Sequence, residues 1–153
     1  MTNSQGYRGY ITSRPIRGQE TPHQVQNMVA REYCRKNGHL YLLSATEYSI
    51  PNCFMMLTEL LNSLDECQGI VLYSQFLLPQ KRTARLRVYE QLITAGAELH
   101  AALENTAIRT KADITAFEDT ISIVNALPAA PMGGQYDKTI ESAEFEAFKL
   151  AVL

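Results

Sequence analysis

Cysteine is scarce: three residues, Cys34, Cys53 and Cys67, with no C-x-x-C spacing. An odd number without that spacing argues against a disulfide framework and against a zinc knuckle, so no metal and no other cofactor is expected. Excess positive charge is missing too. Lys and Arg total 14 against 16 Asp and Glu, the net charge is −2 and the pI is about 5.9, which leaves no global field to hold nucleic acid. Any anion must be bound locally. No apolar run approaches the roughly 18 residues needed to span a bilayer, and the opening Met-Thr-Asn-Ser-Gln-Gly lacks the charged and apolar regions of a signal peptide. A cytoplasmic protein with reduced thiols and no membrane partner is the expectation.

What is present is globular composition, 46% hydrophobic and 20% charged over 153 residues, enough for one domain with a core. Residues 7–12 alternate and are rich in Tyr, Ile and Thr, which predicts a strand that Arg14-Pro15 and Gly18 then break. Thr21 fits an N-cap, Pro22 the first helical position, and Gln24 completes a capping box. Val25, Met28, Val29 and Tyr33 form an apolar stripe on the helix that follows, and Asn37-Gly38 stops it. Leu40–Leu43 reads as an interior parallel strand, apolar on both faces. A polar loop leads into a second helix from about Pro51, striped by Leu57, Leu60, Leu61 and Leu64. Phe54, Met55 and Met56 crowd its first turn, so part of that cluster should face a pocket or a partner subunit.

Gly69–Tyr73 is the clearest strand and should be central. A helix over about Lys81 to Ala95 ends at Gly96, a fourth strand covers Leu99 to Leu103, and Thr110 with Asp113 caps a fourth helix carrying Ile114, Phe117, Ile121 and Val124. The basic run Lys81-Arg82-Thr-Ala-Arg85-Leu-Arg87 is read as a solvated face. Strand and helix thus alternate four times, which predicts an α/β fold: an open parallel four-stranded sheet with helices on both faces. Residues 6–127 form the core domain, 128–138 a linker, and 139–153 an extra C-terminal amphipathic helix.

Open α/β sheets bind ligands beyond the carboxyl ends of their strands, where the strand order reverses. That rule gathers Thr12, Ser13, Arg14 and Arg17 after the first strand, with His23 and Gln24 at the helix start. It adds Ser44, Thr46, Glu47, Tyr48 and Asn52 after the second, and Tyr73, Ser74 and Gln75 after the third. Arg14 and Arg17 beside a helix N-terminus make an anion clamp. Glu47 is the candidate acid or base, with Tyr48, Tyr73 or Ser13 as proton-donating partners. Thr12, His23, Gln24, Ser44, Thr46, Asn52, Ser74 and Gln75 complete the binding set. His39 and His100 lie away from this end and read as structural.

Arg8-Gly-Tyr-Ile-Thr-Ser-Arg-Pro15, Pro22-His-Gln-Val-Gln-Asn27, Leu43-Ser-Ala-Thr-Glu-Tyr48 with Pro51–Leu57, and Tyr73-Ser-Gln-Phe-Leu-Leu-Pro79 resemble the sporadic carbohydrate cluster family of bacterial proteins over roughly residues 8–119. The resemblance implies a place in surface-polysaccharide or unusual-sugar biosynthesis and supplies no reaction. More distantly, the plan is similar to the serine recombinase catalytic domain, with Ser13 near the nucleophile's place. Thr12 stands where that family has an arginine, however, and Tyr73-Ser-Gln-Phe-Leu-Leu replaces its Asp-Arg-x-x-Arg. Without those arginines the transition-state electrostatics of phosphoryl transfer are lost. Together these readings predict a flavodoxin- or resolvase-like three-layer sandwich. The expected function is a metal-independent enzyme, an isomerase, lyase or glycosyl-type transferase, acting on a small anionic sugar-like metabolite; a homo-oligomer is expected. The alternative is a non-catalytic ligand-binding or accessory subunit.

Overall fold

The computed structural model describes residues 6–127, which hold five strands and four α-helices. The expected linker over 128–138 and C-terminal helix over 139–153 lie outside the described residues. Strands β1 (Tyr7–Thr12), β2 (Tyr41–Glu47), β3 (Gly69–Leu72), β4 (Glu98–Ala101) and β5 (Thr106–Ile108) form one sheet in the order β2-β1-β3-β4-β5. The first four are parallel; β5 is antiparallel to β4. The sheet is therefore mixed and five-stranded, where four parallel strands were expected. The run expected as one strand over 99–103 ends early, because the chain turns back at Glu104-Asn105, with Asn105 in the left-handed region at φ 54°. β3 is central, as its uniform apolar run predicts, and all four of its residues are buried.

Chain alternation sends neighbouring side chains to opposite faces. Ile70, Leu72, Leu99 and Ala101 point into the main core with Leu57 and Leu60 of α2 (Met55–Asn62), Val88, Tyr89 and Leu92 of α3 (Arg82–Thr94), and Phe117 and Ile121 of α4 (Lys111–Ala126). Val71, Tyr7 and Ala102 meet Ala30, Tyr33 and Cys34 of α1 (His23–Lys36) on the other side. Helices do lie on both faces, three against one. Gly38 and Gly96 adopt φ near 70° just past α1 and α3, the left-handed turn that ends a helix. The capping box at Thr110 and Asp113 forms as expected.

Several further expectations fail for tertiary reasons. β2 is an edge strand, not an interior one, and Leu43 is 81% exposed. It also runs on through Glu47, so Ser44 and Thr46 are strand residues and not part of a rim loop. In α1 the predicted stripe holds only at its later positions: Tyr33 is buried and Val29 packs on the core, but Met28 is 66% exposed, Val25 is exposed as well, and Gln26 is fully buried. Gln26 holds the inward position because its amide is saturated. Its Nε2 donates to the carbonyls of Thr12 (2.9 Å) and Thr21 (2.8 Å), and its Oε1 accepts from the Thr12 N–H (3.0 Å). The capping box proposed for Thr21 and Gln24 does not form; α1 starts after Pro22 without a side-chain cap, and Gln26 joins strand to helix instead. No helix among the described residues is long and apolar enough to cross a membrane.

Candidate functional site

From β1 the chain crosses to β2 on one side, then returns over β1 to β3, so the loops after β1 and β3 leave the sheet in opposite directions. A cleft opens between such diverging loops. Its volume is about 700 Å³, within the range of small-molecule sites. Its walls come from the segment after β1, from Asn52 and Phe54 before α2, from the Gln75–Gln80 stretch after β3, and from Ile121 and Asn125 of α4.

The β1 segment folds back on itself. Ile16 and Gln19 exchange both backbone hydrogen bonds (2.8 and 3.0 Å) around Arg17 at φ 50° and Gly18 at φ 81°. Two successive positive φ values define a two-residue turn of the primed type, whose first corner favours Asn, Asp or Gly. Arginine there is held at a conformational cost. Its guanidinium lies 5.1 Å from the centre of the Phe76 ring and donates to Asn125 Oδ1 at 3.2 Å. Arg14 stacks on Phe54 at 4.7 Å, with its backbone N–H bonded to Thr12 Oγ1 at 3.0 Å. Asn52, another cleft residue, is also left-handed, at φ 58°.

Arg85 lines the cleft as well, but its charge is spent. Nε and Nη2 reach Glu118 at 2.9 to 3.2 Å, and Nη1 donates to the carbonyls of Pro79 and Gln80. The pair is buried. This corrects the solvated reading of the 81–87 run: Arg85 turns inward because Glu118 on α4 meets it. Gln75 is buried on the cleft wall, accepts from Thr106 Oγ1 through Oε1 (3.3 Å), and has an Nε2 without a partner among the described residues.

Of the residues picked out in the sequence, the structure brings Thr12, Arg14, Arg17, Asn52 and Gln75 together in this cleft. Glu47 is not among them. It is fully buried and accepts from the Tyr10 hydroxyl (2.9 Å) and from the N–H groups of Tyr48, Met56 and Leu57 (3.1 Å each at closest). Burial pushes its pKa up, but these donors outweigh burial and hold it below the ordinary carboxylate value. A carboxylate so saturated caps the start of α2; it is a poor proton acceptor for a ligand. Tyr48 is half exposed outside the cleft, and Tyr73 packs in the main core. Ser74 donates to the buried Glu104 and accepts from the Phe76 N–H. Glu104 also accepts from the Gln75 N–H (3.1 Å), and burial raises its pKa, so it anchors the loop that carries Gln75 and Phe76. Ser44 and Thr46 lie along β2, and Gln24 is exposed on α1. Ser13 and His23 are exposed beside the cleft, with Oγ 3.1 Å from Nε2.

The sequence carries no local sign of Arg85, Phe76 or Asn125 as wall residues, which reach the cleft from helices or turns placed by tertiary packing; Phe54 belongs to the apolar cluster expected to face a pocket or a partner, and it lines the cleft. Among the described residues no group of three His, Cys, Asp or Glu is placed to hold a metal ion. Comparison with known protein families, with curated proteins and with solved structures finds no match.

Proposed function

We propose that this chain binds a small anionic sugar-like metabolite in the cleft between the β1 and β3 loops, within surface-carbohydrate biosynthesis. One observation carries the reading: among the described residues, Arg14 and Arg17 share the cleft with a Gln75 Nε2 that has no partner, and neither arginine has a carboxylate partner. Two unneutralised guanidinium groups select an anion. Asn52, Gln75 and Thr12 suit hydroxyls, and Phe54 and Phe76 supply apolar surface for a ring face. The resemblance of the 8–79 motifs to the carbohydrate cluster family supports the setting.

Binding is favoured over acid/base catalysis, because no carboxylate, imidazole or phenol is among the wall residues, Glu118 being turned to Arg85. A second reading, an enzyme, rests on the contact between Ser13 and His23 next to Arg14, a nucleophile and base within reach of one another. A homo-oligomer is part of the proposal, with Leu40 and Leu43 at the open edge of the sheet and Met55 on α2 as its exposed apolar side chains. Thermal-shift and calorimetric titration of the full chain with sugar phosphates and sugar acids tests the main reading. Saturable binding that Arg14→Ala weakens roughly tenfold or more supports it; no binding by any member of either class sinks it. Ser13→Ala separates the two readings, since it abolishes any turnover in the second and leaves affinity unchanged in the first.

A further inference from the structure

The charge on the cleft wall narrows the class of anion, and this step rests on the binding reading above. Arg85 is cancelled by Glu118, which leaves Arg14 and Arg17 as two positive charges with no internal counter-ion among the described residues. Each guanidinium has one face against a phenyl ring, Phe54 or Phe76. A guanidinium seated over a ring keeps its N–H donors at its own edge, which suits an acceptor group that both arginines can reach. Gln75 Nε2 adds a buried donor with no acceptor among the described residues. A carboxylate would bring one charge against two, leaving a net positive charge in the cleft. A phosphate monoester brings a charge of about −1.5 to −2 and three oxygens.

We infer that the ligand is a phosphorylated sugar rather than a sugar acid, its phosphate held between Arg14 and Arg17. The left-handed backbone at Arg17 fits this role, for the turn is built on a residue whose side chain reaches the cleft and whose backbone another residue would suit better.

The test is calorimetric titration of the full chain with glucose 6-phosphate, glucuronate and inorganic phosphate, on wild type and on Arg17→Asn. Asparagine suits the left-handed corner, so this variant folds and removes one charge. The expected result is glucose 6-phosphate binding at least tenfold tighter than glucuronate and tighter than inorganic phosphate. In Arg17→Asn the affinity for glucose 6-phosphate falls roughly tenfold to a hundredfold, and the gap between phosphate and carboxylate narrows. Between pH 7.5 and 5.5 the sugar phosphate loses affinity as its second proton binds near about pH 6. Glucuronate binding as tightly as glucose 6-phosphate overturns the inference while leaving the anion site intact. Equal binding of inorganic phosphate removes the sugar from it. Phosphate affinity unchanged in Arg17→Asn places the site elsewhere, and no binding of any of the three to wild type sinks the underlying reading as well.

Discussion

At Glu47 four donors converge on one buried carboxylate: the Tyr10 hydroxyl and three backbone N–H groups, two of them from the first turn of α2. The residue that looks from the sequence like a free loop acid is therefore a tie between β2 and α2. Glu47→Gln replaces an acceptor by an amide whose NH2 opposes donors, and should cost about 2 to 3 kcal/mol of stability. The same change should leave ligand affinity nearly unaltered, because Glu47 does not face the cleft. Denaturant unfolding and titration calorimetry on the purified variant check both parts; a fully stable variant that no longer binds would contradict this placement. Arg17 shows the converse. Its neighbours Pro15 and Gly18 mark a turn in the sequence, but its strained backbone and its stacking on Phe76 become visible only once β3 brings Phe76 alongside.

Between elements, the bond that holds α3 to α4 is Arg85 with Glu118, buried on both sides and separated by 33 residues. Removing one partner leaves an uncompensated charge in the core. Arg85→Ala should cost about 3 to 5 kcal/mol, and Glu118→Ala a similar amount, while the double change Arg85→Met with Glu118→Leu should recover most of the loss. A double-mutant cycle by chemical denaturation measures this; additive losses would mean the two groups do not act as a pair. Gln26 does comparable work between β1 and α1 with three hydrogen bonds, fixing Thr12 at the cleft wall. Both ties use polar side chains at inward positions. An apolar-stripe reading passes over such residues, so it includes the exposed Val25 and Met28 on α1 beside the inward Val29 and Tyr33, misses Gln26, and leaves Arg85 in solvent.

Across the whole molecule, the end of the sheet far from the cleft carries a cluster of titratable groups. His100 is fully buried, with Nε2 2.7 Å from Glu98 and Nδ1 2.6 Å from the Tyr33 hydroxyl, and with the rings of Tyr7 and His39 about it. A carboxylate can only accept, so Nε2 carries the proton and Nδ1 accepts from Tyr33. Burial lowers the pKa of His100, and Glu98 offsets this only in part. The unfolded histidine takes up a proton near about pH 6.5 while the folded one does not, so this contribution is complete above that pH. It is lost as pH falls through the folded value. Glu47 and Glu98, both lowered, act with the same sign at more acid pH; Glu104, raised by burial, acts oppositely and loses its contribution as pH rises through its folded value. Melting temperature should therefore fall on acidification from pH 7 to 5, and His100→Gln should flatten that part of the profile. An unchanged slope in the variant would assign the acid sensitivity to other groups.

The alternation of strands and helices, the stops at Gly38 and Gly96 and the capped start of α4 were all legible in the chain, because each is fixed by neighbours within a few residues, and the uniform apolar run of β3 marked it as an interior strand. So was the pairing of Arg14 and Arg17 on a loop at the carboxyl end of β1. Tertiary structure alone decided the strand order, the reversed β5 and the edge position of β2. It also decided which polar side chains turn inward: Glu47 toward α2, Gln26 toward Thr12, Arg85 toward Glu118. Burial of a polar group is favourable only when partners complete its hydrogen bonds, and for each of these three at least one partner lies ten or more residues away. Local pattern records hydrophobicity and turns; it does not record which distant donor will meet which acceptor.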